Sequence, residues 1–273
     1  MTDYQQAYEK KYHKDAPSGA VQLESLFNKI AQHQPLGTLM LETSKCGLPA
    51  HTLVDNHSPQ AKQLRHYFNQ ILKDWFDNDV PFRQLNLITG NVTSTNIIQN
   101  GLPEPTTLNS QQLKQNLIPY FNTQTKHVYI IENANVFIEL MFRLPQAALI
   151  CGNGNNRNPS IIKLLQLLEK TGVALHYLGD LDTIGIKIAA NTFVKLQQTS
   201  IDCFLQLQSI NRVNRWVING VHRDSKRTKH IQLVEPALQL QIDRIHSSGI
   251  YVEQEELLND YCQLIEQQLA TTT

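Results

Sequence analysis

The sequence has few cysteines, no long apolar run and no excess of either charge. Its four cysteines lie far apart, so none has the Cys-x-x-Cys spacing of a zinc or redox site. No apolar run reaches the roughly 20 residues that span a bilayer, and the polar N-terminus lacks the apolar core of a signal peptide. Lys plus Arg and Asp plus Glu both number 24, so the net charge neither favours nor excludes nucleic acid as a partner. We therefore expect a cytoplasmic protein with no membrane partner.

The sequence also lacks a nucleotide-binding motif. Gly152-Asn153-Gly154 precedes a predicted helix, and a helix N-terminus can hold a phosphate. This turn has neither the Lys-Ser/Thr of a P-loop nor the spacing of a dinucleotide fingerprint. The simplest prediction is an ordinary turn between a strand and a helix.

From about residue 126 the chain alternates short apolar runs with amphipathic segments. Strands are predicted at 127–131, 147–151 and 173–178, with a further candidate at 201–205; helices are predicted at 135–144, 159–170, 183–197, 236–246 and 253–269. Repeated strand–helix units of this length predict a parallel sheet with right-handed crossovers. The fold class is therefore α/β, with helices flanking the sheet.

The N-terminal part has a different pattern. Amphipathic spacing predicts helices at 21–31 and from Ser58-Pro59 onward, and Thr93-Ser94-Thr95 has the composition of a helix cap before Ile97-Ile98. The turn formers near Thr123 mark the predicted domain boundary. We expect a mainly helical region over 1–123, compatible with a winged-helix-like arrangement, and an α/β domain over 124–273.

Acidic residues follow two of the predicted strands directly. Glu132 ends the run His127-Val128-Tyr129-Ile130-Ile131, and Asp180 and Asp182 follow the run that ends at Leu178. Carboxyl ends of parallel strands meet at one sheet edge, where ligands bind in open α/β folds. Gathered acids repel one another unless a cation lies among them, and Mg²⁺ prefers oxygen ligands. The pattern therefore favours a metal site, although Asp182 could simply cap the next helix and Glu132 could be a solvated strand end.

Two further sets of charges could serve a site. Glu253 and Glu255 open the last predicted helix, where acids are favoured by the helix dipole alone. Between 212 and 230 the chain is strongly basic and could contact DNA phosphates, or it could be a solvated loop. The basic residues that we predict to bind DNA are Arg212, Arg215, Arg223, Lys226, Arg227 and Lys229.

These residues resemble those of a known family. A Glu after one strand, followed by Asp-x-Asp with a Gly three positions on, is similar to the Toprim domain and to the A subunit of type IIB topoisomerases. The resemblance is closer to the Toprim subunit (JetD) of Wadjet plasmid-defence systems. It is carried by Glu132-Asn133, Tyr177 to Asp182, Val252 to Glu255, and Gly90 to Thr95 with Gly101-Leu102, and it covers about positions 84–262.

The resemblance implies an activity. It implies a metal-dependent endonuclease that cleaves duplex DNA, with Glu132, Asp180 and Asp182 as catalytic residues and Mg²⁺ ligands, and with Mn²⁺ as a possible substitute. Glu253 and Glu255 would be further metal-facing residues. An SMC-type ATPase complex as partner, and a homodimer that brings two sites to two strands, are also implied.

Two other functions are compatible with the residues. Asp-x-Asp could belong to a phosphatase of the haloacid dehalogenase type, although that fold needs a later acidic pair and the downstream aspartates are single. Alternatively, the chain could be a non-catalytic DNA-binding or assembly subunit with a degenerate Toprim-like core, since the family carries more sequence in its N-terminal part.

Overall fold

A computed structural model describes residues 3–54, 58–78, 80, 82, 90–99, 101–152 and 158–271. The chain divides into two compact units, Met1–Leu87 and Ile88–Thr273. The sequence placed the boundary near residue 123 instead. The reason for the difference is that residues 92–108 contribute two strands to the sheet of the second unit, and so belong to it.

The first unit is helical in its described residues and contains no strand there. Its helices are α1 (Tyr4–Tyr12), α2 (Glu24–Ala31), α3 (Leu39–Lys45) and α4 (Pro59–Phe76). Ser58 caps α4 by accepting a hydrogen bond from the Ala61 N–H, and Pro59 occupies the first turn, where a missing N–H has no cost. Its buried core is rich in aromatic rings, among them Tyr4, Phe27 and Tyr67.

The second unit is built on a five-stranded sheet in the order β2-β1-β4-β3-β5. The strands are β1 (Val92–Thr95), β2 (Thr106–Leu108), β3 (His127–Ile131), β4 (Leu149–Cys151) and β5 (Ala174–Leu178). Strand β1 runs antiparallel to both neighbours, and the other four run in one direction. The predicted α/β class, with a largely parallel sheet after a helical N-terminal region, is confirmed.

Helices and a small hairpin complete this unit. They are α5 (Ala134–Arg143), α6 (Pro159–Glu169), α7 (Thr183–Phe193), α8 (Ile201–Phe204), α9 (Ile210–Asn219), α10 (Pro236–Ser248) and α11 (Leu258–Ala270), with β6 (His222–Arg223) pairing with β7 (Ile250–Tyr251). A 3-10 turn at Gln254–Leu257 leads into α11. None of the described helices is long and apolar enough to cross a membrane.

Two local predictions were wrong. The segment predicted as a strand at 201–205 is the short helix α8, because Ser200 caps it by accepting the Cys203 N–H, and short apolar runs do not separate strand from helix. Thr93-Ser94-Thr95 is part of β1 rather than a helix cap. Its side chains bond across the sheet, since Thr95 Oγ1 donates to the Ala147 carbonyl, and β-branched residues suit strands.

Candidate functional site

The predicted acids meet at one end of the sheet. Strands β3 and β5 are parallel neighbours in register, with Ile131 paired to Leu178, so the residues that follow each strand emerge side by side. A second connection crosses this edge, because Leu181 exchanges backbone hydrogen bonds with Val252. The fold therefore gathers residues from about 132, 180 and 253 at the carboxyl edge.

Glu132 is buried and held by one of its two oxygens. Its Oε2 accepts hydrogen bonds from the Tyr177 hydroxyl at 3.0 Å and from the Asp180 N–H at 3.2 Å. Gly179 makes room for this arrangement, since a Cβ there would lie 2.5 Å from Oε2 and 2.6 Å from the Tyr177 ring. Burial, reinforced by the negative charge of Asp180, raises the pKa of the Glu132 carboxyl to about 7. This carboxyl can therefore exchange a proton near neutral pH.

Asp180 lies beside Glu132 and is half-buried. Its Oδ1 accepts the backbone N–H of Gln254 at 2.9 Å. Burial raises the pKa of Asp180 to about 6, and the negative charges of Asp182 and Glu255 add to this, against the opposing effects of the Gln254 N–H and of Arg227. Two neighbouring carboxyls with raised pKa values indicate a site with more negative charge than its hydrogen bonds neutralise.

Asp182 has two roles, one for each oxygen. Its Oδ1 accepts the Gly185 N–H at 2.7 Å and so caps α7, as the structural alternative predicted. Its Oδ2 is left for another partner: it accepts a hydrogen bond from Arg227 Nε at 2.8 Å and forms an ion pair with Arg227 Nη2 at the same distance. The helix cap fixes the position of the Asp182 carboxylate, and its second oxygen faces Arg227.

Arg227 is held among the acids rather than on the solvent surface. Besides Asp182, its guanidinium contacts Glu253 Oε1 through Nη1 and approaches Asp180 Oδ2 at 3.8 Å. Its central carbon lies 4.0 Å from the centre of the Tyr251 ring, a cation–π contact. Burial opposes the charge, but the bonds to Glu253 and Asp182 outweigh it and raise the pKa of Arg227 above its ordinary value.

The segment around residue 254 closes the site from the other side. Gln254 is fully buried; its N–H binds Asp180, and its Oε1 accepts the Asn133 N–H at 2.7 Å. Glu255 accepts a hydrogen bond from the Asn133 side chain at 2.6 Å. Glu253 forms a capping box with Glu256 as well as its contact with Arg227. Both predicted acids thus lie near the cluster, Glu253 through Arg227 and Glu255 through Asn133.

Residues 106–265 match the family model described as "Protein of unknown function C-terminus (DUF2399)", which covers more than half of the 273 residues. The chain belongs to the DUF2399 family. The matched region contains all five of the acids that were predicted as site residues. The DUF2399 family is associated with the JetD-like proteins of Wadjet systems. No curated protein matches this DUF2399 chain, and its relation to the Toprim domain stays a prediction.

The donor set of this DUF2399 site suits a hard divalent cation. In the described ranges, no three acids, histidines or cysteines lie where together they could hold a metal ion. Asp180, Asp182 and Glu253 nevertheless face one positive group, the Arg227 guanidinium, on different nitrogen atoms. Carboxylate oxygens are the ligands that Mg²⁺ prefers. The residues therefore fit the predicted metal, provided that Arg227 moves aside.

The predicted DNA-binding residues lie on several elements. Arg212 and Arg215 belong to α9, where Arg212 donates to the Gln206 carbonyl at 2.7 Å. Arg223 in β6 is exposed and donates to the Ser248 carbonyl, and Lys226 and Lys229 are exposed. Arg227 is the member that turns inward. The turn of Gly152 to Gly154 lies partly outside the described residues.

Sequence reasoning missed the importance of Gln254 and of the Tyr177 hydroxyl. Gln254 lies between the two glutamates that were singled out, but a lone glutamine at a helix start carries no specific signal. Tyr177 lies on β5 and reads as an ordinary core aromatic. The signal that could have found it is the glycine two positions on, since Gly179 leaves space for the contact between Tyr177 and Glu132.

Proposed function

We propose that this protein is a metal-dependent DNA endonuclease subunit of an SMC-linked anti-plasmid system, with a Toprim-like active site. The observation that supports this proposal most is the convergence of Glu132, Asp180 and Asp182 at the carboxyl ends of two adjacent parallel strands. The Asp180 N–H lies 3.2 Å from Glu132 Oε2, so the acids are direct neighbours. Their sequence pattern and the family's association with JetD-like proteins point in the same direction.

Each acid has a separate task in this proposal. Asp180 and Asp182 would hold Mg²⁺ or Mn²⁺, with Glu253 at the edge of the same set. A divalent ion there supplies charge stabilisation at the scissile phosphate and lowers the pKa of a bound water. Glu132 would handle the proton, because burial and the charge of Asp180 raise its pKa to about 7 in the metal-free site, well above that of an ordinary carboxyl. Its Oε2 is fixed by Tyr177 and Asp180, which leaves Oε1 for that exchange.

The proposed substrate is duplex DNA, and the proposed partners are an SMC-type ATPase complex and a second copy of this chain. Arg223, Lys226 and Lys229 are exposed on the segment that carries Arg227 to the acids. Lys226 and Lys229 are close in sequence to Arg227, which contacts the acids. Phosphates bound by these side chains would therefore lie near the catalytic edge. Such contacts add affinity without sequence preference, as an enzyme that cuts plasmids in general would need.

Plasmid cleavage tests the proposal directly. Supercoiled plasmid is incubated with the protein in Mg²⁺ or Mn²⁺, with and without EDTA, and the products are resolved on a gel. The parent should cut only with metal, and Asp180→Asn and Asp182→Asn should not cut. Asparagine preserves the Asp182 helix cap, so the fold is retained. Asp202→Asn, which changes an exposed aspartate on α8, is the matched control and should cut like the parent.

Full cleavage by the Asp182→Asn protein would overturn the assignment. A second readout does not require turnover: Mg²⁺ should raise the melting temperature of the parent and leave that of Asp182→Asn almost unchanged, since a ligand stabilises only the state that binds it. Hydrolysis of a generic phosphate monoester, without DNA cleavage, would favour the haloacid dehalogenase-type alternative instead.

One observation favours a second candidate, a non-catalytic DNA-binding or assembly subunit. Arg227 already neutralises part of the acid cluster, as expected where a former metal site has become a structural ion-pair network. The two candidates differ in metal binding. A degenerate site should show the same weak response to Mg²⁺ in the parent and in Asp182→Asn, whereas a functional site should lose its response.

A further inference from the structure

Arg227 competes for the atom that a metal ion would need most. Asp182 Oδ1 is bound to the Gly185 N–H of the helix cap, so Oδ2 is the oxygen left for a cation. Arg227 donates to that oxygen from Nε at 2.8 Å, and its Nη2 lies at the same distance from it as an ion pair. Within the part of the chain that the structure describes, no other cationic side chain forms an ion pair with Asp180, Asp182 or Glu253. One guanidinium therefore accounts for the cationic contacts of all three acids.

Hydrogen bonds to the backbone of the Arg227 segment hold this arginine close to the acids. The Thr183 N–H donates to the Arg227 carbonyl at 2.7 Å, and the Thr183 hydroxyl donates to the Lys229 carbonyl at 2.7 Å. Thr183 is the first residue of α7 and directly follows Asp182, so the same turn positions both the carboxylate and its partner. The Tyr251 ring supports the guanidinium from one side. The side chain is only 26% exposed, so the contact is part of the folded site and not a surface encounter.

We infer that Arg227 is a built-in counter-ion of this site, which a divalent cation must displace before it can bind Asp180 and Asp182. The inference rests on the proposed function, because it requires a site that binds such a cation. A metal ion on Asp182 Oδ2 would lie within about 5 Å of the guanidinium bound to the same oxygen, and two cations at that distance repel each other strongly in a partly buried site. Metal therefore binds when Arg227 has moved away. The apparent affinity for metal is then reduced by the fraction of molecules in which the arginine is displaced. Arg227 thereby neutralises part of the negative charge of the apo site and occupies it until the metal concentration is high enough.

Mn²⁺ binding, followed by the electron paramagnetic resonance signal of the free ion, tests this inference without any turnover. Arg227→Gln should bind Mn²⁺ about tenfold more tightly than the parent, if the arginine is displaced about a tenth of the time in the parent. Arg227→Lys should fall between the two, because an ammonium keeps the charge but cannot form the paired bonds of the guanidinium. Arg223→Gln removes the same charge from the neighbouring hairpin, where Arg223 donates to the Ser248 carbonyl and forms no ion pair with the acids among the described residues, and should bind like the parent.

The outcomes separate this inference from the proposed function. If the parent and Arg227→Gln bind Mn²⁺ equally well, and Asp182→Asn does not bind it, the counter-ion inference is wrong and the metal site stands. If neither the parent nor Arg227→Gln binds Mn²⁺, the metal site fails and the inference fails with it. An equal gain of affinity in Arg223→Gln would reduce the effect to general charge and overturn the specific role of Arg227.

A measurement on the unsubstituted protein covers the case in which Arg227→Gln does not fold. The Arg227 Nε–H donates to Asp182, so its nuclear magnetic resonance signal should be protected from exchange with water in the absence of metal. Saturating Mg²⁺ should shift that signal and accelerate its exchange. An unchanged, protected signal while Mg²⁺ shifts the Asp180 and Asp182 resonances would mean that metal and arginine coexist, which contradicts the inference.

Discussion

Two buried glutamates of the second unit, Glu169 and Glu132, have pKa values that are shifted in opposite directions. Burial opposes the charge of Glu169 at the end of α6, but the N–H groups of Gln197, Gln198 and Thr199 and the Thr199 hydroxyl outweigh it, and the pKa of Glu169 is lowered. Glu132 also accepts two hydrogen bonds, yet its pKa is raised to about 7, because it is buried beside Asp180.

The difference separates a structural acid from a candidate catalytic one. Glu169 ties the loop after α7 to the end of α6, and its charge is satisfied by neutral donors. Glu132 lies beside other acids, so its charge is costly in the absence of a cation. Both carboxylates are buried, so burial alone does not distinguish their roles. The distinction comes from comparing the number of hydrogen-bond donors to each carboxylate with the number of negative charges beside it.

The substitution Glu169→Gln should have the largest effect on stability. Glu169→Gln replaces a charged acceptor of four donors by a neutral amide, whose NH₂ group would face the Gln197 N–H in place of Oε2. We expect the free energy of unfolding at pH 7 to fall by about 4 kcal/mol. Urea unfolding followed by circular dichroism measures this, with the exposed neighbour Lys170→Gln as control. A loss below about 1 kcal/mol would remove the contrast with Glu132.

Glu132→Gln should instead stabilise the protein relative to the parent as the pH rises. The folded-state pKa of Glu132 lies above its ordinary 4.5, so its stabilising contribution is complete below pH 4.5 and is lost as the pH rises through about 7. The gap corresponds to roughly 3 kcal/mol at most. Relative to the parent, Glu132→Gln should therefore gain stability between pH 4.5 and 7.5 in metal-free buffer. If the stability difference between Glu132→Gln and the parent does not change over this pH range, the pKa of Glu132 is not raised.

Tyr177→Phe should have a smaller effect with a specific signature. The lost hydroxyl donates to Glu132, and a hydrogen bond to an ionised acceptor is worth about 1.5–3 kcal/mol. The loss should be greater at pH 8, where Glu132 is ionised, than at pH 5. Tyr129→Phe on the adjacent strand is the matched control, because its buried hydroxyl has no hydrogen-bond partner among the described residues. Equal losses in both variants would assign the effect to packing alone.

The smallest effect on stability is expected at the exposed basic residues. Replacing Arg223, Lys226 and Lys229 by Gln should change the free energy of unfolding by less than about 0.5 kcal/mol, because these side chains are solvated. Affinity for duplex DNA should fall similarly on all sequences, and the salt dependence of binding should flatten by about one unit of slope per lost phosphate contact. Unchanged affinity and slope, measured by fluorescence anisotropy over a salt series, would mark this segment as an ordinary surface loop.

The sequence predicted the sheet edge because its signal is local. Each of the strands β3 and β5 is an apolar run that stops at an acid, and parallel pairing then fixes where those acids meet. The helix cap formed by Asp182 was predicted as the alternative to a metal ligand, and the structure shows it. These inferences need only the period of the chain and the direction of the strands.

The partners of these acids could not be predicted, because they come from distant segments. Arg227 lies between Lys226 and Lys229 and reads as one more solvated cation; it turns inward because Thr183 binds the backbone at 227 and 229. Gln254 is buried only because Leu181 pairs with Val252. The strands β1 and β2 were missed for a similar reason, since their pairing with β4 is a tertiary contact that propensity does not reveal.

The contact between Gln254 and Asp180 has a consequence for the order of events during synthesis. The two residues are 74 positions apart, and Asn133 and Glu255 are 122 apart. A nascent chain that has been synthesised as far as Asp182 already carries all three central acids, but Arg227 and Gln254 are not yet made. Contacts of this sequence separation form late, because a long loop must close first. The cluster is therefore assembled only when the last helix docks, and a ribosome-bound intermediate would hold three adjacent carboxyls without Arg227 or Gln254 to partner them.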